Sequence, residues 1–177
     1  MKKELDYIWR RRSVRAFDGQ PLTEEHFCEL LEAAMAAPSA RHCDPWEFIV
    51  VRNSGQLQKM AELLPNGPAL ASCGGAIIVC GDLNKAYMNS LSYLLQDCSA
   101  ALENILLAAP GLGLGGCWLG IHPREERINA LREMFSIPEH IIPAGACMLG
   151  YPATEITPRT RFDKSSIHDG IWTKESN

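Results

Sequence analysis

The chain has 177 residues, enough for one domain with a sizeable core, and its 46% hydrophobic and 21% charged residues exclude a disordered chain. A net charge of −4 with no basic stripe argues against nucleic acid as a partner. No apolar run reaches the roughly 18 residues of a membrane span, so no membrane partner is expected.

The opening MKKELDYIWRRRS has no apolar core and no cleavage site, so no signal peptide is expected. Seven cysteines, an odd number with no CxxC pair, form neither a disulfide framework nor a zinc or iron–sulfur site. Free thiols at this level suit a reducing compartment, so the expected location is the cytoplasm.

Residues 5–12 read as a short helix with Leu5, Ile8 and Trp9 facing inward. It runs into Arg11-Arg12-Ser13-Val14-Arg15, a cluster of cations around a hydroxyl. Such a run is either a solvated basic turn or an anion site, since the arginine fork suits phosphate. Thr23 is placed to cap the next helix, whose apolar face is Phe27, Leu30, Leu31, Ala34 and Met35. That helix ends before Pro38. Residues 37–46 form a loop, and residues 47–51 a buried strand.

Ser54 reads as the cap of a helix bearing Leu57, Met60, Ala61 and Leu64, ended by Pro65-Asn66-Gly67-Pro68. Residues 76–80 are a second buried strand. The organising stretch is DCSAALENILLAAPGLGLGGCWLGI, residues 97–121. Its helix is apolar almost all round and is expected to be buried on every side. Pro110-Gly111 breaks it, and Cys117 to Ile121 re-forms as a strand flanked by glycines. Glycines around an aromatic strand suit a large flat group lying against the backbone, although a plain core strand reads the same way.

Pro123 is expected in the first turn of a helix with Ile128, Leu131, Met134 and Phe135 on its apolar face. The last core strand lies within residues 141–151, and the polar tail carries Arg159, Arg161, Lys164 and Trp172. The order of four or five strands and five or six helices gives no regular βαβ series, so α+β is as good a reading as α/β.

Basic clusters at both ends and a glycine-lined strand between them suit a large, planar, anionic cofactor. No P-loop, Rossmann fingerprint, GxSxG elbow or HExxH helix is present. Chemistry carried by a bound organic cofactor fits this lack of side-chain machinery.

Five segments carry a resemblance. They are Arg11 to Phe17, Ala37-Pro38-Ser39 with Pro45-Trp46-x-Phe48, the helix from Gln96-Asp97 to Ala109, Leu112 to Gly115 with Cys117-Trp118-Leu119-Gly120, and Leu149-Gly150-Tyr151-Pro152. In this order they resemble the nitroreductase family of flavoproteins, over about residues 7–172. The resemblance implies an α+β fold: a mixed, mainly antiparallel central sheet flanked by helices, in an intertwined homodimer. It implies one FMN-binding domain over residues 1–177, with the tail from about 153 to 177 wrapping the partner subunit.

It also implies the site. Arg11, Arg12, Ser13 and Arg15 match the first FMN segment, with Arg11 and Ser13 on the phosphate and ribityl end and Arg15 at the pyrimidine edge. Pro38, Ser39 and Ala40 match a loop that contacts the partner's FMN, and His42 belongs to the same loop. Leu119 and Gly120 match the position whose backbone N–H faces flavin N5, and Arg159 and Arg161 match the pair that grips the phosphate. Asn66 matches a polar flavin contact, but its segment is weakly patterned and it is left out of the expected site. His42 stands where the family has asparagine and Asp44 where it has glutamine.

The implied activity is hydride transfer from NADH or NADPH to FMN, then electron delivery to a nitroaromatic, quinone or similar small acceptor in a ping-pong cycle. No catalytic side chain and no metal are expected. An FMN carrier or sensor without NAD(P)H turnover would share every cofactor residue. A family member with other flavin chemistry, such as dehalogenation or enone reduction, would keep the fold.

Overall fold

A computed structural model describes residues 5–172. In chain order the elements are α1 (Asp6–Arg10), α2 (Glu24–Met35), β1 (Trp46–Val51), α3 (Ser54–Leu63), β2 (Gly75–Asp82), α4 (Leu91–Ala108), β3 (Gly115–Gly120), α5 (Glu125–Phe135) and β4 (Ile141–Gly150). The four strands form one sheet in the order β1-β2-β4-β3, with every neighbouring pair antiparallel. A single parallel bridge, Ser13 to Gly116, adds the N-terminal arm to the edge of β3.

The sheet is covered on both faces. Ile77 and Val79 of β2 and Cys147 and Leu149 of β4 pack with Phe27 and Leu30 of α2 and Leu94, Leu102 and Ile105 of α4. Ala76, Ile78 and Cys80 of β2 and Ala146 and Met148 of β4 pack with Leu57 and Met60 of α3 and Ile128 and Leu131 of α5. Side chains alternate across a strand, so a central strand covered on both sides must be apolar at every position. This is why β2 reads as a continuous run, and all eight of its residues are buried.

Local chemistry sets the helix limits. The Thr23 hydroxyl accepts the His26 N–H, and the His26 ring accepts the Thr23 N–H, forming a capping box on α2. Asn53, not Ser54, caps α3 by accepting the Gln56 N–H at 3.1 Å. Pro123 lies two residues ahead of α5, outside its first turn. α4 ends at Ala108, Pro110 sits in the following single turn, and Gly113 closes it at φ +74°, a conformation that favours glycine.

Three further expectations change. α4 begins at Leu91, earlier than the apolar run, because Ser92, Tyr93 and Gln96 lie on its outer side and hide the periodicity. It is also not buried all round. Leu94, Cys98, Ala101, Leu102, Ile105 and Leu106 are buried, whereas Ala100, Leu107 and Ala108 stay half-covered in one protomer. Leu5, just ahead of α1, and Ile8 within it do not face inward either: they are 39% and 42% exposed, and Trp9 is half-buried, since α1 lies outside the layers against the tail.

No helix among the described residues is long and apolar enough to cross a membrane. All seven cysteines are free.

The arm from Ser13 to Leu22 is held across the sheet at Gly74, whose carbonyl accepts the Leu22 N–H at 3.1 Å. A Cβ at Gly74 would lie 2.5 Å from the Gln20 carbonyl oxygen, so the two backbones meet only because no side chain intervenes. Gly74→Ala should therefore cost about 1–3 kcal/mol, the usual range for overpacking. Thermal denaturation should show a Tm lower by roughly 2–10 °C.

Candidate functional site

The site is built on the edge of β3. Gly115 lets the arm come close: a Cβ there would lie 2.6 Å from Val14 Cγ2. The Val14 N–H donates to the Gly116 carbonyl at 3.0 Å. Beyond this point the arm joins the tail, with Ala153 N–H donating to Ala16 at 2.9 Å and Asp18 N–H to Tyr151 at 3.1 Å. The arm therefore occupies the sheet edge at Gly116 and leaves it open from Trp118 to Gly120.

In a strand, alternate residues turn their N–H and C=O groups to opposite edges. The Gly116 carbonyl points outward, so Trp118 and Gly120 also present their backbone outward, while Leu119 bonds inward to β4. The Leu119 side chain lies in the core. Of the two positions expected to offer an N–H to a flat ligand, Gly120 is thus the one that turns it outward. A Cβ at Gly120 would meet no atom within 4 Å, so a ring has open space there.

A cleft of about 560 Å3 covers this edge, lined by Arg15, Asn66, Ala69, Cys117, Trp118 and Gly120, among others. A second, of about 490 Å3, runs between the arm, Arg12 to Ala16, and the tail, Thr154 to Thr157. Arg15 lines both. Arg12 crosses the second cleft, its Nη1 donating to the Thr157 carbonyl at 2.5 Å. Arg11 turns to α4, with Nε 3.7 Å from the Glu103 carboxylate. Burial pushes the Cys117 thiol up, against the pull of Arg15, Ser13 and Arg11, so it stays neutral and is no nucleophile near pH 7.

The structure thus brings Arg12, Ser13, Arg15 and Gly120 to one edge. The loop Pro38, Ser39, Ala40 and His42 lines neither cleft in the protomer. It is nonetheless a made structure. Ser39 Oγ donates to Asp44, Asp44 N–H returns a bond to Ser39 Oγ at 3.1 Å, and Ala40 N–H donates to Asp97 Oδ1 at 3.0 Å. Arg41, His42 and Asp44 all have positive φ. Arg159 and Arg161 also lie outside both clefts. Arg159 is tied by its N–H to the Trp9 carbonyl at 3.1 Å, and both residues are exposed.

Asn66, matched by the resemblance to a polar flavin contact but left uncounted, lines the edge cleft. Sequence reasoning missed two contributors. Asp97, within α4, anchors the loop by a contact 57 residues away, which no local pattern encodes. Arg127, buried in α5, donates from Nη1 to the Gly120 carbonyl at 2.5 Å, yet it lies one residue before the apolar pair Ile128 and Leu131 and reads as a surface charge.

An open sheet edge, an outward N–H and a flanking cation in an α+β protein suit a flat ligand that carries negative charge. The comparisons with known proteins agree. The model of the nitroreductase family matches residues 8–71 and 82–151. A protein of Archaeoglobus fulgidus, provisionally named NADH dehydrogenase/NAD(P)H nitroreductase, is 44% identical over 97% of this chain and 100% of its own length. A crystal structure of a protein given the same provisional name, from Parabacteroides distasonis, superposes with a TM-score of 0.90 at 38% identity, covering 97% of this chain and 100% of that one. A provisionally named nitroreductase from Desulfovibrio desulfuricans, solved in complex with FMN, gives a TM-score of 0.81 at 26% identity over 98% and 99% of the two chains. The chain belongs to the nitroreductase family.

Asp97 gives a pH test of the loop anchor. Its Oδ2 is buried without a partner, and burial raises its pKa against the pull of the Ala40 N–H, with Asp44 adding to the rise. A raised folded-state pKa means that the contribution is fully present at acid pH and lost as pH climbs through that pKa. Asp97→Asn keeps an acceptor for Ala40 and removes the buried charge. Thermal denaturation should show a higher Tm than the parent at pH 7, with the gain shrinking as the pH falls through the carboxylate range.

Proposed function

We propose that the protein is an FMN-dependent oxidoreductase. It takes a hydride from NADH or NADPH and passes the electrons to a nitroaromatic, quinone or similar small acceptor, with the donor leaving before the acceptor enters. The observation that carries this reading is the open edge at Gly120, with its outward N–H, open space above it and Arg15 beside it. Relatives support it by name, among them an FMN reductase (NADPH) of Bacillus subtilis, 25% identical over 95% of this chain.

The residues present fit the cofactor. FMN, when bound, supplies the two-electron chemistry that no side chain here offers. Gly120 presents its N–H to one edge of the ring. Arg15, which lines the cleft, would supply a cation to stabilise the charge of the reduced ring. Arg11 and Ser13, with Arg12 beside them, would hold the phosphate and ribityl end, which requires Arg11 to leave Glu103, and Arg159 and Arg161, outside both clefts in the protomer, would close on the phosphate. No general base is needed.

The working unit is a homodimer. Pro38, Ser39, Ala40 and His42 are built rigidly away from their own cleft, so they serve the partner's. The described surface also leaves Met88, Phe162, Ile167, Ile171 and Trp172 more than half exposed, a quantity of apolar surface that a partner would cover. Residues 153–172 form the tail arm of that contact, and residues 173–177 of the same expected tail lie outside the described residues. Free thiols throughout the chain fit the cytoplasm.

Two measurements test this reading. Arg161→Ala should weaken FMN binding by at least about tenfold, since a lost charge-assisted phosphate contact is worth about 1.5–3 kcal/mol. Full FMN retention, read by absorbance after desalting, would count against the site. Sedimentation at micromolar concentration should give twice the 19.6 kDa chain mass, and a monomer would remove the shared site.

A further inference from the structure

Arg127 is 6% exposed, and its partnering is incomplete. Nη1 donates to the Gly120 carbonyl at 2.5 Å, while Nε has no hydrogen-bond partner. Among the described residues no carboxylate lies within ion-pair distance of it. Glu125 and Glu126, its neighbours, are exposed to solvent. It stands in the first turn of α5, at the positive end of the helix dipole, where a cation is least at home. A buried cation without a counter-charge is costly and needs a reason.

The reason lies at Gly120 itself. That residue lines the edge cleft, and its carbonyl is what Arg127 holds. The Gly120 carbonyl faces the same edge as its N–H, so the guanidinium bonds the backbone at the edge that the cleft covers. We infer that Arg127 is a positioning residue that fixes the Gly120 backbone and supplies a buried positive charge, its missing counter-charge being the negative charge that a bound flavin acquires on two-electron reduction. The inference rests on the FMN reading above and deepens it.

Arg15 and Arg127 then divide the work. Arg15 is exposed and touches the cleft directly, so salt screens it. Arg127 is buried, and salt does not reach it. The first responds to the medium, and the second sets a constant bias towards the reduced cofactor.

Two variants separate charge from shape. Arg127→Gln keeps a donor for the Gly120 carbonyl and loses the charge. Arg127→Lys keeps the charge. The readout is the two-electron midpoint potential of the bound FMN, with FMN stoichiometry and Tm as controls. R127Q should move the reduction equilibrium at least tenfold towards the oxidised form, about 30 mV, and R127K should stay within about threefold, some 14 mV, of the parent. The R127Q shift should persist at about 1 M salt, where the Debye length is about 3 Å.

A parent-like potential in R127Q with FMN bound, or a fall in R127K as large as in R127Q, overturns the inference. If R127Q does not fold, R127K alone decides: a parent-like potential supports the charge role and a tenfold fall overturns it. If the parent protein binds no FMN, the functional reading itself falls. If it binds FMN and only the R127Q prediction fails, the functional reading stands and Arg127 is a structural residue.

Discussion

The site depends on one backbone hydrogen bond and one missing side chain. The Val14 N–H to Gly116 carbonyl bond, made possible by the bare Cα of Gly115, lays the arm along the outer edge of β3. An unpaired strand edge is a liability in most proteins, because its N–H and C=O groups invite other chains. Here the arm blunts the edge up to Gly116 and stops. What remains open, Trp118 to Gly120, is long enough for a flat ring and too short to template a strand. The same arm brings Arg12, Ser13 and Arg15 to the spot, so closing the edge and charging the cleft are one structural act.

The rest of the fold keeps that edge in place. β4 lies between β2 and β3 and is packed from both sides by helices, so the edge strand is seated on a rigid neighbour. Arg127 fixes the carbonyl at the far end of the open segment, and Val14 fixes the near end. The loop holding Ser39 and Ala40 is seated with equal care, on Asp97 of α4, although it lies away from its own cleft. Two rigid half-sites on one chain make sense when two chains complete each other.

Much of the fold was legible in the sequence because its signals are local. Thr23 at the start of α2, the continuous run of β2 and the Pro110-Gly111 break all follow from neighbouring residues. The errors arose where a distant contact decides. Leu5 and Ile8 have a helical spacing but no layer to face. α4 starts at Leu91 because tertiary packing on Leu94 recruits a turn that Ser92 and Gln96 disguise. The site divides in the same way. The arginine arm and the glycine-flanked strand stood out by composition, and resemblance to a family supplied their roles. Arg127 and Asp97 did not stand out, since each works through a contact in another element. The choice between Leu119 and Gly120 needed strand register, which a bare sequence does not carry.

The central claim is that the edge cleft holds a flavin that NAD(P)H reduces and a small acceptor reoxidises. The most direct test is a visible spectrum of the purified protein, recorded anaerobically before and after NADH, then NADPH, then a quinone. A flavin spectrum that bleaches with at least one donor and returns with the acceptor is the expected result. A flavin spectrum that persists with both donors, or a protein that takes up no FMN, would contradict it.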